Sequence, residues 1–260
     1  KIQNSESREF GAIYTRSVTE YDSLILSNIE ISDCICSRSS ILSTNYFLSL
    51  DSTVLMNNEA RTVLLAGNNL SLTNSKILFN QSRYEIIGVS GDEVNIENTL
   101  IAENNGRTCI IGHGSTRFDI PSNFRIINST LANNFFIDDR YKIYSENANL
   151  NMYIVNSIIW NEGNGYTYYN SSNNDSVLVA YSDIKGGEAN IRTNGTKIWD
   201  DGNISEVPLF ADTSSGDFSL SNDSPCVNKG TDLFIWQGDT LVNITEYFGS
   251  APDMGAFENT

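Results

Sequence analysis

Hydrophobic and polar residues repeat along the chain in a nine-residue phrase that is clearest at residues 126–134, IINSTLANN. The phrase occurs seven times, at residues 31–39, 50–58, 72–80, 96–104, 126–134, 154–162 and 179–187. Its first position and the position two residues before it are apolar in every copy. Because alternate side chains of a β-strand share one face, this spacing predicts a short strand with one buried face.

The third position of the phrase predicts a sharp bend. It is asparagine in four consecutive copies, and asparagine tolerates left-handed backbone angles better than most residues. Stacked copies of such a bend can also hydrogen-bond side chain to side chain, which predicts an asparagine ladder. The ladder residues are Asn74, Asn98, Asn128 and Asn156. A column of small residues and an apolar column follow the bend and predict a second short strand.

The spacing between copies predicts a solenoid. Successive copies lie 19, 22, 24, 30, 28 and 25 residues apart, as expected for a constant scaffold with loops of variable length. Leucine-rich repeats also place asparagine at a turn, but they usually return by a helix. The return segments here, for example residues 62–65 and 141–144, are short and rich in β-branched and aromatic residues. The sequence therefore predicts an all-β parallel β-helix with at least seven coils of three strands.

The chain divides into three regions. Residues 1–23 are polar with one short apolar stretch, which predicts either a partial coil or a cap. Residues 24–194 carry the coils without a break in composition. Residues 195–260 change character and are predicted to close the helix as a cap, because an open solenoid end exposes apolar side chains and unpaired strand edges.

The tail carries a recognisable series of short motifs. It reads PLFAD at 208–212, GDFSL at 216–220, SPC at 224–226 and DMGAFE at 253–258. Together with the phrase and the coil length, this resembles the secreted right-handed parallel β-helix proteins of the pectate-lyase-like superfamily, and the tail resembles the closing segment of bacterial surface-anchored members. The resemblance covers about residues 24–260 and departs at Asn228 and Lys229, where Asp-Ala is more usual.

The resemblance implies a right-handed helix, a secreted or cell-surface location of bacterial type, and a tail that is often followed by an anchor. It does not imply one activity, because the superfamily includes polysaccharide lyases, hydrolases and adhesins. No lyase motif matches, so no catalytic residue is carried over. The chain begins at Lys1 without an initiator methionine or signal peptide, and we expect it to belong to a longer polypeptide.

Composition narrows the range of partners. The formal net charge of −16 argues against nucleic acid, whose phosphates would be repelled. The mean hydropathy is −0.25, and no apolar run approaches the roughly 20 residues that a membrane span needs. The spacing of the four cysteines, Cys34, Cys36, Cys109 and Cys226, imposes no disulfide and excludes none.

A column of arginines is the most informative polar feature. Arg61, Arg83 and Arg107 each stand three residues past the end of a phrase, and Arg140 takes the same place after a three-residue insertion. Stacked like charges repel, so an anion must lie between them. One interpretation is an exposed ion-pair ladder formed with acidic residues at positions 59, 85, 103, 138 and 139. The other is a linear track for the carboxylates of an acidic polysaccharide.

Catalytic and metal-binding candidates are fewer. Lyase chemistry on uronates needs a cation or arginine on the carboxylate and a base for the α-proton. His113, on an expected exposed loop, Lys142 and Arg140 could supply these groups, although a lone loop histidine is usually only solvated. Ca²⁺ could bind Asp200, Asp201 and Asn203, in a sequence that equally suits an ordinary turn. No other cofactor is expected.

Three functions follow from these features. The first is a secreted or cell-surface β-helix scaffold without catalytic activity that displays a binding surface for polysaccharide or another surface molecule. The second is a lyase or hydrolase acting on an acidic polysaccharide. The third is a structural spacer within a larger adhesin.

Overall fold

The computed structural model describes residues 1–8, 11–15, 23–114, 121–146 and 149–260, and it shows a parallel β-helix. This confirms the predicted fold class. Each full turn contributes strands to three sheets, which we name A, B and C in the order in which a full turn passes through them. Neighbouring strands pair in parallel within each sheet. The apolar column before the phrase stacks in register through sheet A, as predicted: Leu48, Leu70, Val94, Phe124, Met152 and Val177.

Within the described residues, sheets A and B have eight strands each and sheet C has twelve, because some turns contribute two short strands to sheet C. Sheet A contains Ser23–Ser27, Phe47–Asp51, Leu70–Thr73, Glu93–Glu97, Ser122–Ile127, Leu150–Val155, Ser176–Ala180 and Thr196–Trp199. Sheet B contains Ile2–Gln3, Glu30–Ser32, Val54–Met56, Lys76–Leu78, Leu100–Ala102, Thr130–Ala132, Ile158–Trp160 and Asp183–Ile184. Sheet C contains Glu6–Ser7, Ile13–Thr15, Ile35–Thr44, Glu59–Ala66, Gln81–Ser82, Ile87–Val89, Asn105–Gly106, Ile111–His113, Phe135–Phe136, Tyr141–Ser145, Tyr166–Asn170 and Ile191–Thr193.

The predicted bend between sheets A and B is present in seven turns, each with a residue at a φ of 47° to 55°. The first copy of the phrase is the exception to our alignment. Leu26 pairs with Leu50, and Asn28 makes the bend, so the copy begins at residue 26 and not at residue 31. Apolar residues alternate both in the strand that contains Leu26 and in the strand that contains Ile31. The period of two therefore could not show which of the two strands begins the copy. Ile31 belongs to the next strand, where it pairs with Leu55.

A buried stack of asparagines lies at a second bend, after sheet B, and not in the column where the ladder was predicted. Side-chain amides of successive turns are joined by hydrogen bonds of 3.0, 2.9, 2.9 and 2.8 Å along Asn58, Asn80, Asn104, Asn134 and Asn161. Each Oδ1 also accepts a backbone N–H, as Asn104 does from Asn80. Each Nδ2 donates to a backbone carbonyl, which for Asn104 is that of Ile77. The stack therefore satisfies backbone groups that no water reaches.

The predicted ladder residues make the bend but stack only in part. Asn98 donates to Asn74 at 3.3 Å on the exposed side of the corner. Asn128 Oδ1 has no hydrogen-bond partner among the described residues, and Asn156 instead exchanges two bonds of 2.8 Å with the backbone of Thr231. The first bend points its asparagines outward, whereas the second points them into the core.

The small column after the first bend forms a second buried stack. Each hydroxyl accepts the backbone N–H of the equivalent residue one turn earlier, along Thr53, Ser75, Thr99, Ser129, Ser157 and Ser182. Asn203 ends the series, since its Oδ1 accepts the N–H of Ser182 at 3.0 Å. In the turns from Thr53 to Asn161, two corners are thus held by side chains that bond along the helix axis.

The two ends of the chain differ from a simple cap. The strands Ile2–Gln3, Glu6–Ser7 and Ile13–Thr15 pair with the next turn and form a partial coil. At the other end, Lys197 and Trp199 follow Val177 and Val179 in the inward columns of sheet A. Lys197 bonds the carbonyl of Ile191 at 3.4 Å, so a charge ends the apolar column.

Beyond residue 204 the tail lies along the side of the helix. It contains two antiparallel hairpins, Phe210–Asp212 with Asp217–Leu220 and Leu233–Trp236 with Asp239–Asn243, and two 3-10 turns occur at Gly187–Asn190 and Thr213–Ser215. Phe218 packs on outward residues of sheet B, among them Leu78, Leu100 and Ala132. The tail therefore covers an apolar outer face that sheet B would otherwise expose.

The tail is held at one point by a buried carboxylate. Asp183 is fully buried, and its oxygens accept the thiol of Cys226 at 3.3 Å and the N–H of Glu206 at 3.1 Å. Burial raises the pKa of Asp183 to about 6, against the effect of these hydrogen bonds. All four cysteines are free and buried, and Cys34 and Cys36 belong to the main core.

We predict that Asn104→Ala lowers the free energy of unfolding by about 3 kcal/mol, because it leaves several buried donors and acceptors without partners. Asn95→Ala is the control, since Asn95 reaches only Glu97 at 3.5 Å on the outside of the same turn. Urea unfolding measures both variants. Equal, small losses would show that the stack contributes little.

We predict that Asp183→Asn stabilises the protein at pH 7.5 and has little effect near pH 4. The folded pKa lies above the unfolded one, so the wild type loses stability as pH rises from about 4 to 6 and carries the penalty above pH 6. The amide keeps the acceptor for Glu206 and removes the charge. Thermal unfolding across this pH range should show the two proteins diverging, and parallel curves would contradict the prediction.

Candidate functional site

Four tyrosines from two successive turns lie together on the outer side of sheet C. In the strands Tyr141–Ser145 and Tyr166–Asn170, Tyr141 pairs with Tyr166 and Tyr144 with Tyr169. The neighbouring inward positions, Ile143 and Tyr168, are buried in the core. Two consecutive buried residues separate the tyrosines of each strand, Lys142 and Ile143 in one and Thr167 and Tyr168 in the other, so both strands depart from strict alternation and the four half-buried rings lie on one face.

The rings form a stack with nearly parallel planes. The ring centroids of Tyr141 and Tyr144 are 4.5 Å apart, at an interplanar angle of 17°. Tyr169 lies 5.7 Å from Tyr141, and Tyr166 lies 6.5 Å from Tyr169. Burial raises the pKa of Tyr141, and burial with a hydrogen bond to Glu146 raises that of Tyr144. These phenols stay protonated at neutral pH, and the hydroxyl of Tyr144 donates to Glu146 at 2.6 Å, so it can only accept a hydrogen bond from a ligand.

A groove of about 580 Å³ runs beside the stack, and we call it the tyrosine groove. Besides the four tyrosines, its lining consists of Asp139, Arg140, Asn164 and Gly165. Aromatic faces with a few polar groups at the edge are typical of sites for small molecules and sugars. The exposed Arg140 is the cation in this lining.

Asp139 fixes the turn that forms one wall of the tyrosine groove. Its carboxylate is in contact with Lys142 Nζ and accepts the backbone N–H groups of Asn164 at 2.7 Å and Gly165 at 3.3 Å. Partial burial would raise the pKa of Asp139, but the bonds from Lys142 and the backbone hold it below its usual range. A Cβ at Gly165 would lie 2.6 Å from the carbonyl oxygen of Asp139, so this close approach requires glycine.

Arg192 closes the far end of the stack. It pairs with Tyr169 one turn further on, and its guanidinium lies 5.1 Å from the ring centroid of Tyr166 and 5.7 Å from that of Tyr169. Its Nη1 donates to the hydroxyl of Tyr166 at 2.9 Å. Arg192 could not be recognised from the spacing in the sequence, because it stands five residues past the end of the last copy of the phrase and not three.

Three members of the arginine column follow paired positions. Gln81 pairs with Glu59 and with Asn105, and Arg61, Arg83 and Arg107 each lie two residues beyond these positions on successive turns. Ile137, and not Arg140, occupies the fourth place of the arginine column, because Phe135 pairs with Asn105. The three-residue insertion is therefore accommodated after Ile137. Arg140 instead lies at the tyrosine groove.

The carboxylates that could neutralise these arginines are mostly engaged elsewhere. Arg107 forms an exposed ion pair of 3.2 Å with Asp138, and Arg61 lies 5.0 Å from the ring centroid of Tyr84. Within the described ranges, Arg61, Arg83 and Arg140 form no ion pair. Glu85 accepts from Thr62, Glu103 from Asn133, and Asp139 contacts Lys142. Among the described residues, Arg107 is thus the one member of the arginine column that forms the predicted exposed ion pair.

The structure corrects the expectation that His113 lies on an exposed loop. His113 is 2% exposed at the end of Ile111–His113, with Nε2 2.8 Å from the carbonyl of Gly91 and Nδ1 3.0 Å from Ser145 Oγ. The carbonyl requires Nε2–H, so Nδ1 accepts in the neutral ring. Burial lowers the pKa of His113, although the Gly91 carbonyl and the charge of Asp92 act to raise it. The neutral imidazole joins three successive turns through its two hydrogen bonds.

Lys142 is also inside the protein and not at a surface where a base could meet a substrate. It is 3% exposed, its Nζ is in contact with Asp139, and it lies 6.0 Å from the ring centroid of Phe136. Of the three catalytic candidates, only Arg140 is exposed. Two further residues near the long turns, Arg117 and Asp119, lie outside the described residues.

The calcium candidates form an ordinary corner of the helix. Asp200 Oδ1 accepts the N–H of Asp201 at 2.9 Å. Asn203 Oδ1 bonds Ser182, and its Nδ2 donates to the carbonyls of Val179 and Asp200 at 2.8 Å each. Its side chain is therefore engaged in the hydroxyl stack. In the described part of the chain, no three His, Cys, Asp or Glu side chains are grouped as metal ligands.

Two other aromatic residues of these turns lie apart from the groove. Trp160 lies in sheet B and packs under the tail with Ile158 and Leu220. Tyr168 is buried in the core.

Comparisons with known proteins do not place the chain in a family. No protein-family model matches the chain, and no curated protein matches it. Among solved structures, the crystal structure of pectate lyase Pel9A is similar with 15% identity and a TM-score of 0.36, over 95% of this chain and 85% of that one. In the described residues, no helix has the length and apolar character needed to cross a bilayer.

We predict that Asp139→Asn loosens the wall of the tyrosine groove. Hydrogen exchange at the amides of Asn164 and Gly165 should accelerate by about tenfold, because an amide is a weaker acceptor and no longer pairs with Lys142. Asp138→Asn is the control, since it removes the same charge from the adjacent exposed residue. Exchange that rises equally in both variants would contradict the prediction.

Proposed function

We propose that this chain is a secreted or cell-surface scaffold that binds an acidic polysaccharide along one side of its β-helix and does not cleave it. The observation that carries the proposal is the tyrosine groove, in which stacked rings and Arg140 meet at the surface, with Arg192 beside it against the rings of Tyr166 and Tyr169. Rings stack on the apolar faces of sugars, and guanidinium groups form paired hydrogen bonds with carboxylates.

The arginine column supports a long ligand. Arg61, Arg83 and Arg107 are exposed on successive turns, which lie about 4.8 Å apart along the axis. Arg107 pairs with Asp138, and the chain continues directly through Asp139 to Arg140 at the groove. A linear polymer parallel to the axis would meet the arginines first and the tyrosines next. In a chain of net charge −16, this line is where an anion would meet least repulsion.

The burial of two candidate catalytic groups supports binding without cleavage. His113 and Lys142 are hydrogen-bonded inside the protein, so neither faces a ligand in the tyrosine groove. Secretion and the bacterial surface location are part of this proposal and rest on the resemblance of the coils and the tail motifs.

We predict that Tyr144→Ala combined with Tyr169→Ala weakens retention on immobilised polygalacturonate by about tenfold or more, because the stacking surface is lost. Tyr153→Ala is the control, since this half-buried tyrosine lies in sheet A. Affinity electrophoresis in low salt measures retention. Unchanged retention in the double variant would remove the groove from the proposal.

Arg83→Glu should reduce the same retention in low salt, and Lys229→Glu, an equal charge reversal on the exposed tail, should not. Equal effects would reject the arginine column as a track. Incubation of the wild type with acidic polysaccharides, with and without Ca²⁺, tests cleavage. Absorbance from unsaturated uronates would overturn the non-catalytic part of the proposal.

A further inference from the structure

Arg192 holds its guanidinium in one place at the end of the tyrosine groove. Two ring faces, those of Tyr166 and Tyr169, and one hydrogen bond of 2.9 Å to the Tyr166 hydroxyl fix it. A group fixed before binding loses little side-chain entropy when a ligand arrives. Only one of the five N–H donors of a guanidinium is engaged by this bond.

The charge of Arg192 has no carboxylate beside it among the described residues. Arg125 in sheet A gives the comparison, because it lies 5.8 Å from the ring centroid of Tyr153 but pairs with Glu93 at 3.1 Å. Both arginines contact a tyrosine ring, but a carboxylate neutralises the charge of Arg125, whereas the charge of Arg192 is not paired. The exposed Arg192 is the one whose charge is free to meet a ligand.

The place of Arg192 beside the groove also favours contact with a ligand. It lies one turn beyond Tyr169, whereas Arg140 directly precedes Tyr141 in the chain and lines the groove. A ligand that covers the four rings thus has one guanidinium on the Tyr141 side and another beyond Tyr169. A neutral sugar gains the stacking alone, whereas a carboxylate or sulfate at the Arg192 end gains two parallel charge-assisted hydrogen bonds.

We propose that Arg192 is a specificity-determining residue, which selects polysaccharides that carry a carboxylate or sulfate on the sugar at its end of the tyrosine groove. This inference rests on the proposed function, since it requires that the groove bind a polysaccharide. Under this inference, Arg192, which lies outside the arginine column, recognises the charge of the ligand. The rings that hold Arg192 in place are the ones on which the sugar stacks.

The test compares polymers that differ only in charge. Polygalacturonate is paired with its fully methyl-esterified form, and dextran sulfate with dextran, so that the two arms separate carboxylate from sulfate. For Arg192→Gln we expect about a tenfold or greater loss of affinity for the charged polymer of the preferred pair and unchanged affinity for its neutral partner. Arg125→Gln should change neither affinity. Titration calorimetry with the full chain measures all four polymers.

A second variant guards against misfolding. Tyr166→Phe keeps the ring and removes the hydroxyl that positions Arg192, so it should lower the affinity for the charged polymer more than the affinity for its neutral partner. Equal losses for charged and neutral polymers in Arg192→Gln, no loss at all, or an equal loss in Arg125→Gln would overturn the inference. If the wild type binds none of the four polymers, the proposed function itself fails, and this inference fails with it.

Discussion

The structure depends on the satisfaction of backbone groups at its buried corners. A parallel β-helix turns about three corners in every coil, and each corner leaves N–H and carbonyl groups that the sheets cannot pair. Here two of the corners are held by side chains bonded along the axis, hydroxyls after sheet A and asparagine amides after sheet B. Because each side chain bonds the next turn, a shift of register in one turn would break bonds in both of its neighbours. Register is therefore fixed over the length of the two stacks.

This register is what creates the tyrosine groove. Tyr144, Tyr169 and Arg192 come from three successive turns and are separated in sequence by more than twenty residues each. They meet because identical positions of successive turns lie directly above one another. The Asp139 carboxylate adds a local clamp between two of these turns, through the amides of Asn164 and Gly165. The rigid scaffold thus supplies preorganisation that a loop-built site would have to gain on binding.

The sequence predicted the parts of the fold that repeat with a fixed apolar period. The inward columns and the first bend were found because every copy of the phrase contains them. The buried asparagine stack was harder to recognise, although four of its five residues occupy the last position of the phrase, because outward and inward asparagines look alike in sequence. Asn161 lies one residue earlier than the pattern requires, since its turn omits the left-handed residue that precedes the other four.

The candidate site was predicted less well, because it depends on where insertions are accommodated. A three-residue insertion moved Arg140 out of the arginine column, and only the pairing of Phe135 with Asn105 shows this. The expected loop at His113 is a strand end, and its histidine is hydrogen-bonded to the neighbouring turns through Ser145 and Gly91. The tail was expected over the end of the helix. The apolar outward positions of sheet B, such as Leu78 and Leu100, were the signal that it lies along the side.

The distribution of charge links the fold to the proposed function. Acidic side chains outnumber basic ones by two to one, yet several exposed arginines lack a carboxylate partner among the described residues. Arg61 and Arg192 lie against tyrosine rings instead, and the quadrupole of a ring attracts a guanidinium without neutralising its charge. Salt bridges between these arginines and the acidic side chains of the chain would have neutralised the positive charge at this surface. Tyrosine therefore holds the cations in position and leaves their charge available to an anionic ligand, which a salt bridge could not do.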